Sequence, residues 1–257
     1  RYAGGTMIEV SNVTKSYGDS EVVRGVTSSL PANGVTSIIG PNGAGKSTFL
    51  SMISRLLPMS SGQVTVDGMD ILTADGDEMA KKLSILRQDN HLTARLTVRD
   101  LVAFGRYPHS KGRPTSEDLA HVERSISYLG LDDLTHRFLD ELSGGQRQRA
   151  FIAMVLCQDT KYVLLDEPLN NLDMKHAVAM MQLFRRAADE LSKSVILVLH
   201  DINFASCYSD LIIAMRDGKL VRQGAPAEIV TAANIQEVFD LEARVETVEG
   251  RSIVHFY

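Results

Sequence analysis

Gly40-Pro41-Asn42-Gly43-Ala44-Gly45-Lys46-Ser47 fills every fixed position of the pattern G-x-x-x-x-G-K-[ST]. In such a loop the glycines let backbone N–H groups turn inward around phosphate oxygens. The lysine adds a positive charge, and the hydroxyl reaches Mg²⁺. Val35 to Ile39, just ahead, is a short β-branched run, and Thr48 to Ile53, just behind, is helix-compatible. A strand–loop–helix unit aims the positive end of the helix at the phosphates. The stretch predicts an α/β fold that binds a nucleoside triphosphate.

The rest of the chain is consistent with that prediction. Its 257 residues suit one large α/β domain or a core with an inserted subdomain. A net charge of −5, with basic residues scattered, argues against nucleic acid as a partner. Apolar runs such as Val195–Leu199 fall far short of the roughly 20 residues a membrane span needs. Cys157 and Cys207 are the only cysteines, both in apolar stretches, and read as reduced core thiols. No secretory signal precedes Met7. Arg1 to Thr6 reads as a non-native leader, with Met7 the expected native start.

Strands are expected at Met7–Val13, Glu21–Leu30, Gln63–Val66 and Ile85–Gln88, with turns at Asn33-Gly34 and Asp67-Gly68. Leu96–Phe104, Ser116–Leu129 and Gln146–Leu156 carry apolar residues at helical spacing, with no strand candidate among them. The predicted organisation is therefore a nucleotide-binding core of residues 7–88 and 161–257, interrupted by a helical subdomain over 89–160. Lys161–Leu165 and Ser194–Leu199 are continuously apolar, as parallel strands covered on both faces are. Leu211–Met215 and Lys219–Arg222 flank Asp217-Gly218 as a hairpin. Pro226–Phe239 reads as a helix, and Ala243–Tyr257 as a strand pair turning at Glu249-Gly250.

Asp166 and Glu167 close the apolar run Tyr162–Leu165. Carboxyl ends of strands are where ligands gather in open α/β sheets. One carboxylate suits Mg²⁺, which keeps several of its waters; the other suits orientation of a nucleophilic water. Alone, such a pair is often only a solvated strand end. Leu142-Ser143-Gly144-Gly145-Gln146 is a second glycine-rich stretch, without a lysine. Ser143 and Gln146 fit a capping box opening a helix over Arg147–Leu156. A capped terminus with two glycines also presents N–H groups to an anion.

Taken in this order and spacing, the motifs resemble the ATPase subunit of ABC transporters over essentially the whole chain from Met7. Gly40 to Ser47 matches Walker A, Gln88 the Q-loop glutamine, and Leu142 to Gln146 the signature. Asp166 and Glu167 match Walker B and the catalytic glutamate, Leu172-Asp173 the D-loop, and His200 the switch histidine. Tyr17 fits the aromatic that stacks on adenine. Tyr17, Gln88 and His200 each have a plainer reading: a loop tyrosine, a polar strand end and a structural histidine ahead of the helix cap Asp201. Asn170-Asn171 departs from the small residues or Ser-Ala that many members place before Leu-Asp.

The resemblance implies a P-loop fold with a mixed sheet core, an N-terminal antiparallel β subdomain and the inserted α-helical subdomain. It implies a homodimer with ATP between Walker A of one copy and the signature of the other. Gly40, Pro41, Asn42, Gly43, Ala44, Gly45, Lys46, Ser47 and Thr48 would bind ATP, with Ser47, Gln88 and Asp166 on Mg²⁺. Glu167 would be general base and His200 would touch the γ-phosphate. With no membrane span in the sequence the channel is expected to be separate polypeptides, and the resemblance implies two permease subunits, an extracytoplasmic substrate-binding protein acting indirectly, and a peripheral position on the cytoplasmic face of the bacterial plasma membrane.

Ser84 to Gln88 and Leu96 to His109 look like the subgroup serving iron–siderophore, haem and cobalamin uptake, and within it Leu169 to His176 most resembles the bacterial ferric-siderophore ATPases. A haem or cobalamin importer, or a soluble ABC ATPase outside transport, is the alternative. Asp89 to Pro114, mixing apolar and basic residues, is the expected docking groove for a permease helix.

Overall fold

The structure is a computed structural model and describes residues 7–88, 94–170 and 172–256. The expected leader, Asn171, Tyr257 and the start of the expected docking segment lie outside the described residues. Two compact units divide the chain: residues up to Ala74 together with Met180 onward form the phosphate-loop unit, and Asp75–Ala179 the signature unit. This division groups Gln88 and the Asp166-Glu167 strand with the inserted helices.

The phosphate-loop unit opens with β1 (Met7–Tyr17), β2 (Ser20–Pro31), β3 (Gly34–Ile39), α1 (Lys46–Ile53), β4 (Ser61–Val66) and β5 (Met69–Asp70). Along β1, Ile8, Val10 and Val13 are buried while Glu9 and Ser11 are exposed. The alternation of a half-buried strand skips one residue at Asn12, whose φ of 47° marks a bulge. β2, β1, β4 and β5 make an antiparallel sheet in that order. The chain bends at Asn33, and β3 joins a different sheet from β2.

The signature unit holds α2 (Gly76–Ala80), β6 (Leu83–Leu86), α3 (Val98–Phe104), α4 (Tyr107–Ser110), α5 (Ser116–Tyr128), α6 (Gly144–Cys157), β7 (Tyr162–Asp166) and the start of α7 (Met174–Glu190). β6 and β7 pair in parallel, with Leu86 opposite Leu165. Gln88, expected within the strand, lies two residues past its end. α6 begins at Gly144 rather than Arg147, because Ser143 is its N-cap. α3 and α5 each start with a capping box, Thr97/Asp100 and Thr115/Asp118.

The chain returns to the phosphate-loop unit along α7 and continues through β8 (Ser194–Val198), α8 (Ile202–Tyr208), β9 (Leu211–Arg216), β10 (Lys219–Gly224), α9 (Pro226–Ile229), α10 (Ala232–Phe239), β11 (Ala243–Val248) and β12 (Arg251–Phe256). β3 pairs in parallel with both β8 and β9, and β10 closes that edge antiparallel. The sheet is mixed, and its strands β3 and β8 are buried nearly throughout. The hairpin turns at Asp217-Gly218 and Glu249-Gly250 form as expected.

The single helix expected over Pro226–Phe239 is two. Thr231 stands in extended conformation (φ −127°) and caps α10 by accepting from the Asn234 N–H. The Asn234 side chain in turn donates to the carbonyls of Glu228 and Ile229 that end α9, at 3.0 Å each. A threonine that caps competes with the helix interior, so the break is local chemistry. α7 escaped the sequence reading, although its buried Ala177, Met180, Met181, Phe184 and Ala188 follow a helical period. Both cysteines are free thiols, and burial pushes Cys157 up to about 11.

Candidate functional site

Within the phosphate-loop unit, β3 runs straight into the glycine loop. Gly40 has φ 149°, and a Cβ there would stand 2.1 Å from the Met215 carbonyl oxygen of β9, so only glycine fits. Gly43 has φ 79° and nothing within 4 Å of where a Cβ would be; what it needs is the left-handed backbone. The loop is stitched to the neighbouring hairpin by the Gly218 N–H, which donates to the Ala44 carbonyl at 3.1 Å.

α1 opens at Gly45 with no side-chain hydrogen bond to its first N–H groups. Such donors form an anion site together with the positive end of the helix. The Lys46 ammonium, only 5% exposed, lies 2.9 Å from the Gly40 carbonyl and 3.0 Å from that of Pro41. Such a cradle suits a polyphosphate. Ser47 and Thr48 are half-buried at the helix start, and Asn42 and Gly43 are exposed.

His200 emerges beside the same loop. The β3–β8 register sets Ile38 opposite Val198, so Gly40 and His200 leave the sheet at the same carboxyl end. Asp201 caps α8 by accepting from the Asn203 and Phe204 N–H groups, leaving His200 as the exposed residue between strand and cap. Tyr17 ends β1 with its ring 54% exposed and the Lys15 ammonium 5.1 Å from the ring centroid.

In the signature unit a second parallel pair does the same thing. Leu86 opposite Leu165 brings Gln88 and Glu167 out together. The Gln88 side-chain N–H donates to Glu167 Oε2 at 2.8 Å, and the Asn170 side-chain N–H donates to the same oxygen at 2.5 Å. Asp166 sits 8% exposed at the end of β7, and Glu167 turns away with φ 50°. A left-handed conformation at a non-glycine residue is costly and clusters at functional positions.

The signature opens α6. Ser143 Oγ accepts from the Gln146 N–H at 3.3 Å, and Gln146 Oε1 accepts from the Ser143 N–H at 3.0 Å. Ser143 and Gly144 are exposed and Leu142 half-buried. A Cβ on Gly144 would meet nothing, whereas one on Gly145 would touch Leu172 at 3.4 Å. Asp173 caps the next helix, accepting from the His176 N–H at 2.9 Å and meeting its ring nitrogen at 2.8 Å. Those bonds, the backbone one first, hold its carboxyl below the usual range.

The candidates thus fall into two groups: the loop, Tyr17 and His200 in one unit; Gln88, Asp166, Glu167, the signature and Asp173 in the other. Among the described residues no cluster of three or more His, Cys, Asp or Glu could hold a metal. Mg²⁺ sites that depend on phosphate oxygens and water need no such cluster; Ser47 offers a hydroxyl in the phosphate-loop unit, and Gln88 and Asp166 offer oxygens in the signature unit. The Asn170 bond to Glu167 was not foreseen, although Asn170 stood out as a departure. Gln148, on α6, donates to the Pro168 carbonyl at 3.1 Å, a link with no signal in the sequence.

A family model for ABC transporters matches residues 23–170. The chain is 49% identical over 247 residues to the petrobactin import ATP-binding protein YclP of Bacillus subtilis (strain 168), covering 96% of this chain and 98% of the relative. It is 41% identical to the ferric enterobactin transport ATP-binding protein FepC of Escherichia coli (strain K12), covering 94% of this chain and 91% of the relative. Among solved structures, the dimeric post-hydrolysis state of the ATP-binding cassette MJ0796 bound to ADP and Pi superposes with a TM-score of 0.77. That match has 30% identity and covers 86% of this chain and 99% of that one.

Proposed function

We infer the role of this chain from the family to which it belongs, the ABC transporters, whose ATP-binding subunits are ATPases coupled to transport. Its cargo is a ferric siderophore, moved inward through a separate membrane permease. The observation that supports this cargo is near full-length similarity to relatives named for petrobactin import and ferric enterobactin transport. Among the described residues no helix is long and apolar enough to cross a membrane. In this reading the subunit sits peripherally on the cytoplasmic face, against two permease subunits, with an extracytoplasmic binding protein delivering the cargo.

Two copies act together. Lys46 and the Gly40–Thr48 loop hold the β- and γ-phosphates, Tyr17 stacks on adenine, and Ser143 with its glycines contacts the nucleotide bound by the other copy. Closure excludes water and completes the site only around ATP, so binding energy becomes movement. Ser47, Gln88 and Asp166 would hold Mg²⁺, which would supply positive charge against that developing on the phosphates. Glu167 accepts the proton of the attacking water, and His200 hydrogen-bonds the γ-phosphate. Catalysis by these residues is positioning and charge neutralisation.

The test is a Glu167→Gln subunit assembled with its permease. Nucleotide binding should persist while hydrolysis and siderophore uptake fall by about 10²-fold or more, the scale of a lost general base. Undiminished turnover in that variant would refute the assignment of the base. Undiminished uptake of every ferric siderophore in a strain lacking the subunit would refute the cargo.

A further inference from the structure

The turn after β7 is closed twice. Its backbone is already fastened by the Asn170 N–H, which donates to the Glu167 carbonyl at 3.2 Å. The Asn170 side chain then makes a separate bond, 2.5 Å, to the Glu167 carboxylate. The turn does not need this second bond to close, so its effect falls on the carboxylate. It lands on Oε2, the oxygen that also accepts from Gln88 at 2.8 Å. Two bonds to one carboxylate oxygen restrain rotation about its terminal torsion.

The two donors differ in their anchorage. Gln88 lies beyond the end of β6 and reaches Glu167 from 79 positions away. Asn170 sits on the same turn as Glu167, three residues on, and Pro168 between them is fastened to α6 through Gln148. Asn170 is thus tied to the carboxylate through a few bonds of one turn, whereas Gln88 reaches it from the end of the neighbouring strand. Gln88 is also the residue read as a metal ligand, a second task for its amide.

We propose that Asn170 is a positioning residue for hydrolysis: its side-chain amide holds the Glu167 carboxylate in the orientation in which it accepts the proton of the attacking water, including while Gln88 is engaged elsewhere. This rests on the reading of Glu167 as the general base. A preoriented base avoids the loss of rate that follows small misplacement of a catalytic group. Because Asn170 acts through Glu167, its removal should slow the chemical step and leave nucleotide affinity alone.

The experiment is a double-mutant cycle on the full chain, with single-turnover ATP hydrolysis, KM for ATP and thermal unfolding measured for each member. Asn170→Ala should lower kcat by about tenfold, the scale of one hydrogen bond to a charged group, with KM within about twofold and Tm unchanged. Asn170→Ser, which keeps a donor, should recover part of the loss. In a Glu167→Gln background the same alanine substitution should have no further effect. Wild-type kcat in Asn170→Ala, or an equal loss in the Glu167→Gln background, would overturn the proposal. Wild-type turnover in Glu167→Gln alone would instead overturn the base assignment, so the two failures are distinguishable.

Discussion

Replacing Asp118 tests how the signature unit is held together. Arg106 Nε and Asp118 Oδ1 lie 2.9 Å apart with side chains only 7% and 6% exposed. The other carboxylate oxygen accepts from the Thr115 N–H and Oγ1, both at 2.9 Å. Arg106 Nη1 donates to the Cys157 carbonyl at the end of α6 at 3.0 Å. One guanidinium therefore ties the start of α4, the first turn of α5 and the last turn of α6. Asp118→Ala leaves that cation buried without its carboxylate and removes the return bond of the capping box. A loss of about 3–5 kcal/mol follows, or a fall in Tm of roughly 10 °C at this chain length.

The same pair gives a pH signature. Bonds from the Thr115 backbone first, and from Arg106 next, lower the Asp118 carboxyl from 3.8 to about 2. Because the folded value is depressed, the stabilisation is fully present above the unfolded value and is lost as pH falls through the folded one. The whole interval is worth roughly 2.5 kcal/mol. Urea unfolding of wild type and Asp118→Asn should show a stability gap that is constant above about pH 5 and narrows below about pH 4. A gap that stays flat down to about pH 2.5, or a cost under about 1 kcal/mol for Asp118→Ala, would refute the reasoning.

Two other perturbations separate structure from function. Ser143→Asp keeps a good helix N-cap but adds negative charge where the partner copy's γ-phosphate is proposed to sit. Tm should hold, while ATP-driven dimerisation, read by light scattering, is abolished; dimerisation at wild-type ATP concentrations would count against the shared site. Tyr107 is 57% exposed at the start of α4, near the likewise exposed Phe104. Tyr107→Asp should cut reconstituted transport severalfold while basal hydrolysis by the isolated subunit survives. Parallel loss of both activities would remove the docking role.

Where chemistry is local, the sequence was sufficient. Glycines that must turn and a lysine at fixed spacing define the phosphate cradle. The Ser143/Gln146 box sets the start of α6, and Asp217-Gly218 and Glu249-Gly250 set their hairpins, because each signal lies within a few residues of what it controls. Continuously apolar runs sufficed for β7 and β8. The tertiary structure alone decided what depends on register and packing between distant segments. The β6–β7 pairing brings the Gln88 amide onto Glu167, and the position of β9 explains why Gly40 admits no Cβ. Helix packing buries Arg106 with Asp118. A spacing rule can name the residue types a site needs. Which oxygen each donor reaches is set by strand register and the handedness of one turn, and neither is written in any single stretch of the chain.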